Sequence, residues 1–299
     1  MSERNVTVRV PATSANLGPG FDSLAVALDW TADIRLTFSD ATLPKPEGPI
    51  ERMAVTAALA FFNRADLPTP PGISATYEGD IPVGRGLGVS AIARVAGLLG
   101  ANAFMEGPFW PRPLEDVLPL AFQLERHGDN VAPAMFGGLQ VVVADDDDIA
   151  HARIEPPADL KLALLIPEFS MPTEESRAKL PESLSRNQAV HNIGRAALLV
   201  AALSTGRYDL LERATEDILH QPARATIFTA MYPIFQAARD AGAHGVYLSG
   251  GGSTIAAFVT RNADDVAGAM REAAAARGFE ATSRVCSMSA VGATVIARD

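Results

Sequence analysis

Three glycines on alternate positions, Gly84, Gly86 and Gly88, lie within Ile81-Pro-Val-Gly-Arg-Gly-Leu-Gly-Val-Ser-Ala-Ile-Ala-Arg94 and run into a small hydroxyl residue, Ser90, and an alanine-rich segment. Glycine lets backbone amides approach a ligand closely, and a helix opening at Ser90 aims unpaired N–H groups and a positive dipole end at an anion. That is the composition of a phosphate cradle built without lysine. The lysine-bearing pattern G-x-x-x-x-G-K-[ST] is excluded, because Lys45, Lys161 and Lys179 are the only lysines and none follows a glycine. Gly86-Leu-Gly88-Val-Ser-Ala91 also resembles the dinucleotide pattern G-x-G-x-x-A. Pro82 argues against a central strand before it, however, and the acidic candidate downstream, Glu106, sits in a Gly/Pro-rich segment. A flexible turn is the plain alternative to a phosphate loop.

Three other segments carry chemistry-bearing residues. Pro11-Ala-Thr-Ser-Ala-Asn-Leu-Gly-Pro-Gly-Phe-Asp22 sets Asn16 and Asp22 in a stretch dense with backbone N–H groups, either a site or an Asx-capped turn. Glu125-Arg-His-Gly-Asp-Asn-Val-Ala-Pro133 places two carboxylates, an imidazole and an amide just after a helical stretch. Glu125 and the Ser90 hydroxyl are hard oxygen ligands of the kind magnesium uses when phosphates complete its shell; the alternative is a polar helix C-terminus. Leu248-Ser-Gly-Gly-Gly-Ser-Thr254 is a glycine run that closes over either a ligand or another backbone.

The chain that must position these residues has 299 of them, about two domains by length, with 48% hydrophobic and 20% charged residues, an ordinary folded composition. No apolar run approaches the roughly 20 residues of a membrane span, and Met-Ser-Glu-Arg-Asn lacks the start of a secretory signal. The single cysteine, Cys286, is expected to be a buried small side chain, and a reducing cytoplasm is the simplest compartment. A net charge of −10 argues against nucleic acid or anionic membrane as partner. The acidic run Asp145 to Asp148 reads as a solvated hairpin turn rather than a metal site.

Alternation predicts strands over 5–10, 34–38, 72–77, 137–144, 160–166, 245–248 and 292–297, and helical spacing predicts helices over 50–63, 91–102, 114–125, 188–203, 209–219, 230–241 and 266–276. Residues 11–22 read as irregular. Pro156-Pro157 is the best boundary, dividing residues 1–155 from 156–299. Strands and helices mix without a repeated βα unit, which predicts α+β packing in each half.

In this order the segments resemble the GHMP kinases over nearly the whole chain, and within them the homoserine kinases. Pro11 to Asp22, Pro82 to Ala91 and Gly245 to Ser253 are similar to the family's three motifs, the second written P-x-x-x-G-L-G-S-S-A. Glu125 to Pro133 is similar to E-G-H-x-D-N-V-A-P, Thr173 to Pro181 to T-x-x-A-R-x-x-L-P, and Asp217 to Arg224 to D-x-L-H-x-P-x-R, all more specific to homoserine kinases. The resemblance implies a ribosomal-protein-S5-domain-2-like N-terminal half that binds the nucleotide and a ferredoxin-like C-terminal half. It implies transfer of the γ-phosphoryl group of ATP, with Mg2+, to the hydroxyl of L-homoserine, in the cytoplasm and as a homodimer. By resemblance Pro82, Val83, Gly84, Arg85, Gly86, Leu87, Gly88, Val89, Ser90 and Ala91 hold the triphosphate, and Ser90 and Glu125 hold the metal. Asn16, Asp22, Asn130, Thr173, Arg177 and Arg224 form the substrate pocket, with Asp22, Arg177 and Arg224 the catalytic candidates. His127 and His220, inside motifs, are expected to organise loops; His151, His191 and His244 are expected at the surface or in helix packing.

The sequence departs from the pattern at Val89, Ile92, Arg126, Gly251 and Ser253, none of them a proposed metal or substrate ligand. Two other readings stand beside the first: a related kinase for another carboxylated alcohol such as mevalonate or shikimate, and a non-catalytic nucleotide-binding regulator.

Overall fold

The computed structural model describes residues 3–146, 148–171 and 173–299, without the side chains of 173–175. The first strand, β1 (Glu3–Ala15), begins by alternating, with Val6 and Val8 buried and Arg9 exposed, and is wholly buried from Val10 onward. It therefore runs from a half-wet sheet face into the interior. The expectation of irregular backbone from residue 11 is corrected: the strand continues to Ala15, and its pairing register shifts between Pro11 and Thr13. Proline has no N–H for the ladder, so the irregularity falls where it sits.

β2 (Leu24–Ser39) pairs antiparallel with β1 through Thr31–Ser39 and again through Ala25–Ala27, on either side of the register shift. Then follow α1 (Pro49–Arg64), β3 (Gly72–Glu78), α2 (Val89–Phe104), α3 (Leu114–Glu125), α4 (Gly128–Phe136), β4 (Leu139–Asp145) and β5 (Asp148–Ile154). α2 is buried almost all round, the pattern of a central helix, and α1, α3 and α4 pack around it against the sheet. α4 was not expected, because Gly128 and Pro133 break helical propensity. Burial of Val131, Ala132, Ala134 and Met135 outweighs that preference.

The second half contains β6 (Lys161–Pro167), the short α5 (Thr173–Ala178), α6 (Arg186–Thr205), the brief α7 (Leu211–Ala214) and α8 (Gln221–Ala225), α9 (Met231–Asp240), β7 (Gly245–Leu248), β8 (Ile255–Val259), α10 (Ala263–Ala275), β9 (Ala281–Ser287) and β10 (Thr294–Arg298). The helix expected over 209–219 is corrected to a 3-10 turn at Tyr208–Leu210 and one turn of α7. Beyond it Asp217 accepts backbone N–H bonds from Leu219, His220 and Gln221 at 2.7–3.0 Å, which competes with helix continuation.

Two antiparallel sheets result. One has the order β10-β1-β2-β4-β5 with β3 also on β2, the other the order β7-β8-β6-β9. In the second sheet β6, β7 and β8 are buried on both faces, which explains the unbroken apolar run of β6, while the edge strand β9 is half-buried. Leu162, Leu164 and Ile166 join the large core beneath α2, while Ala163 and Leu165 join a smaller core against α9 and α10. Each such leucine is worth about 1.5–3 kcal/mol. The chain crosses between sheets at Pro156-Pro157 and then returns, since β10 pairs with β1. Residues 156–299 therefore do not all build the second sheet and its helices.

Candidate active site

The glycine loop enters α2 at its N-terminus. Gly84, Gly86 and Gly88 all take left-handed backbone, with φ of 70°, 75° and 72°. A Cβ on Gly86 would stand 2.1 Å from Ser249 O, and one on Gly88 2.1 Å from Thr13 Oγ1, so glycine is required there by conformation and by space. The loop's carbonyls are satisfied from outside. Ser170 Oγ donates to Gly84 O (3.1 Å), Thr254 N to Arg85 O (3.1 Å), Ser249 Oγ to Gly86 O (2.7 Å) and Thr13 N to Leu87 O (3.2 Å). Three of those four donors come from the second half. With its carbonyls turned outward, the loop and the first turn of α2 present N–H groups to a cavity of about 440 Å³.

At the same end of the cavity Ser90 Oγ donates to Glu125 Oε1 at 2.6 Å, and Arg94, one turn further along α2, forms an ion pair with Glu125 Oε2. The Glu125 carboxylate is 5% exposed and faces the cavity at the end of α3. Two hard oxygens side by side beneath a phosphate cradle suit magnesium with phosphates completing its shell. Among the described residues no group of three His, Cys, Asp or Glu could hold a metal by itself. Asp145 and Asp148 pair across the β4–β5 hairpin, and Asp147 lies outside the described residues.

The other end is cationic and anionic together. Asn16 and Asp22 both have positive φ; Asn16 Nδ2 donates to Gly250 O at 2.9 Å and Asn16 Oδ1 accepts from Asp22 N at 3.0 Å. Arg177 Nη2 holds Asp22 Oδ1 at 2.5 Å. Arg224, 2% exposed, donates from Nη1 to Gly250 O (2.9 Å) and to His220 Nδ1 (2.7 Å), leaving its buried Nε without a partner. Burial, and then the like charge of Arg177, brings the Arg224 guanidinium down to about 10. Wholly buried His220 bonds Gly18 O through Nε2 at 2.7 Å, so it is a neutral ring that accepts from Arg224, held down to about 4 chiefly by burial.

In the sequence Asp129 counts only as the carboxylate beside Asn130 in the Glu125 to Pro133 motif and not as a site residue; it is 2% exposed and lies on the first turn of α4 facing the cavity. Burial first and the neighbouring Asp22 second push its carboxyl up to about 7, opposed by His127 and Arg177. Asn130 beside it donates from Nδ2 to Asp129 at 3.3 Å and accepts at Oδ1 from Thr13 Oγ1. Phe21, which lies under both Arg177 and Arg224 at 5.0 and 5.5 Å, and Arg94 were passed over as well.

The cavity wall brings together Asn16, Asp22, Val83, Gly84, Gly86, Leu87, Gly88, Val89, Ser90, Glu125, Asn130, Arg177 and Arg224. Pro82 and Arg85 face a neighbouring cleft instead; Arg85 donates to Pro167 O at 2.9 Å and to Glu168 O. Ala91 is packed inside the core, and the side chain of Thr173 lies outside the described residues. Beside the cavity a second, mostly apolar one of about 460 Å³ is lined by Pro49, Arg52, Met53, Thr56, Ala57, Arg94 and Leu124, and the two share only Met53 and Arg94, while Arg52 donates to Glu47 O.

The GHMP kinases N terminal domain profile matches residues 52–138 and the GHMP kinases C terminal profile residues 199–276. The chain is 40% identical to the homoserine kinase of Moorella thermoacetica over 300 residues, 97% of this chain and 99% of that one. It is 40% identical to the homoserine kinase of Deinococcus radiodurans over 264 residues, 85% of this chain and 84% of that one. Among solved structures, the homoserine kinase from Cytophaga hutchinsonii superposes with a TM-score of 0.86 at 28% identity, over 98% of this chain and 97% of that one.

Proposed function

The chain belongs to the homoserine kinases of the GHMP kinase family, and we infer from that membership that it transfers the γ-phosphoryl group of ATP to the side-chain hydroxyl of L-homoserine. The products are O-phospho-L-homoserine and ADP, and the reaction is a step of threonine biosynthesis. The observation that carries the substrate is the pairing of two arginines, Arg177 and Arg224, with two carboxylates, Asp22 and Asp129, at one end of the cavity. A zwitterionic amino acid needs both signs. Its carboxylate finds the unpartnered Nε of Arg224 and the fork of Arg177, and its ammonium finds Asp129 and Asp22.

The triphosphate occupies the glycine loop at the other end, with its base in the adjoining apolar cavity. Magnesium would be held by Ser90 and Glu125 and would neutralise phosphate charge. The substrate oxygen attacks the γ-phosphorus as the bond to the β-phosphate oxygen breaks, and its proton leaves late to a phosphate oxygen or solvent. Asp22 is committed to Arg177 by their ion pair, so its work is orientation rather than proton abstraction. Catalysis then rests on positioning and charge.

Residues 1–155 serve as the nucleotide-binding domain and 156–299 as its C-terminal partner, with β10 returning to complete the first sheet. A cytoplasmic homodimer is part of the same reading. The acidic net charge speaks for small-molecule rather than nucleic-acid or membrane partners. No helix among the described residues is long and apolar enough to cross a membrane.

The experiment is ADP release with Mg·ATP against L-homoserine, L-threonine, L-serine, mevalonate and shikimate. Turnover with homoserine is expected. Turnover only with another alcohol overturns the substrate and keeps the kinase, whereas nucleotide binding without any turnover favours a regulator.

A further inference from the structure

We propose that Arg94 is a nucleotide-binding residue of this site, the side chain that meets the phosphate groups where the apolar cavity opens into the glycine-loop cavity. The proposal rests on the reading of the glycine loop as a phosphate cradle and goes beyond it by supplying the positive side chain that the cradle otherwise lacks.

Four observations converge. No lysine stands near the loop: Lys45, Lys161 and Lys179 are all absent from the walls of both cavities. Arg177 and Arg224 are held at the far end by Asp22, His220 and Gly250 O. Arg85, though inside the loop, turns its guanidinium away to Pro167 O and Glu168 O. Arg94 alone of the described arginines lines both cavities, and it does so from the second turn of α2, four residues after Ser90 and so on the same helix face.

Arg94 is also unusual for its helix. α2 is otherwise apolar or small apart from Ser90 and Asn102, and an arginine there is expensive to desolvate without a partner. Its partner is Glu125 Oε2, with which it forms an ion pair. Arg94 thus neutralises a carboxylate that is 5% exposed. Its guanidinium stands between the apolar cavity and the loop, where a nucleotide seated in both must place its phosphates. A planar, permanently charged fork suits phosphate oxygens, and it would hold the nucleotide even without a divalent ion.

The test is equilibrium binding of ADP and of adenosine in EDTA, by calorimetry, to the wild type, Arg94→Gln and Arg94→Met. Neither ligand can be turned over, so affinity is read apart from activity. Arg94→Gln should weaken ADP by about tenfold or more, the loss of one charge-assisted contact, and leave adenosine unchanged. Arg94→Met keeps the apolar packing of the stem and carries the comparison if the Gln variant fails to fold. Unchanged ADP affinity in a folded variant overturns the assignment and leaves the kinase reading intact. Equal losses for ADP and adenosine overturn it too, because Arg94 would then serve the base. Failure of the wild type to bind ADP defeats the cradle reading and the assignment together.

Discussion

Arg224 is buried, fixed by His220 and Gly250 O, and still has a donor to offer, so its substitution tests the substrate end directly. Arg224→Ala should raise the KM for homoserine far more than that for ATP, with kcat/KM for homoserine falling by about 1.5–3 kcal/mol, on the order of ten- to hundredfold. Equal changes in both KM values would remove Arg224 from the pocket. Asp129 makes a second prediction at this scale, because a carboxyl pushed up to about 7 is half protonated near neutrality. Holding an ammonium requires the ionised form, so kcat/KM for homoserine should fall as pH drops below about 7, with the ATP KM little affected. The sign for stability is opposite. The folded-state pKa lies above the ordinary carboxylate value, so this group's contribution to stability is present at low pH and is lost as pH rises through about 7. Asp129→Asn should therefore raise Tm at pH 8 while abolishing the pH dependence along with most of the activity; a lowered Tm at pH 8 would contradict the buried charge. Asn16, Glu125, Arg177 and Arg224 are candidates in the sequence because each stands in a motif of fixed spacing, and the fold brings all four to one cavity. Arg94 is not, since what sets it apart is its ion pair with Glu125 where two cavities meet, which spacing does not encode; Asp129 stands in the Glu125 to Pro133 motif, but its burial beside Asp22 does not show in spacing.

Helices and strands whose apolar period matched their environment were readable: α3 begins and ends where its spacing predicts, and α2 extends the expected helix by two residues at each end. The misread elements share a cause, which is that tertiary contacts decided them. β1 persists through Pro11 because β2 pairs beside it, α4 forms despite two helix breakers, and the 209–219 stretch is diverted by Asp217. β9 (Ala281–Ser287) carries almost no alternation and is a strand because β6 offers it an edge. The glycine loop shows the same dependence from the functional side, since its shape is held by donors from the second half. Gly86→Ala should therefore act on both stability and nucleotide binding: the added Cβ meets the Ser249 carbonyl in a left-handed conformation, costing about 1–3 kcal/mol. A lowered Tm with a raised ATP KM and an unchanged homoserine KM is the expected pattern; wild-type ATP binding would show that the loop tolerates displacement from its partner.

Across the whole molecule the two halves are joined by more than their connection. The large core draws on β1, β2 and α2 from the first half and on Leu162, Leu164, Tyr247, Phe258 and Cys286 from the second. Cys286 is 1% exposed, and burial pushes its thiol up to about 12, so it packs as a small apolar side chain rather than reacting. β10 then ties the C-terminus back to β1. A shared core of this kind predicts one cooperative unfolding transition instead of two. The chain supplies its own probe, because both tryptophans, Trp30 and Trp110, lie in the first half while far-ultraviolet circular dichroism reports on both. Fluorescence and circular dichroism should trace the same melting curve. Leu164→Ala, in the second half but in the shared core, should shift both by the same several degrees for a loss of about 2–5 kcal/mol. A circular dichroism transition that precedes the fluorescence transition, or a Leu164→Ala shift seen by one probe alone, would mean that the halves melt separately and that the site between them is assembled by docking rather than by folding.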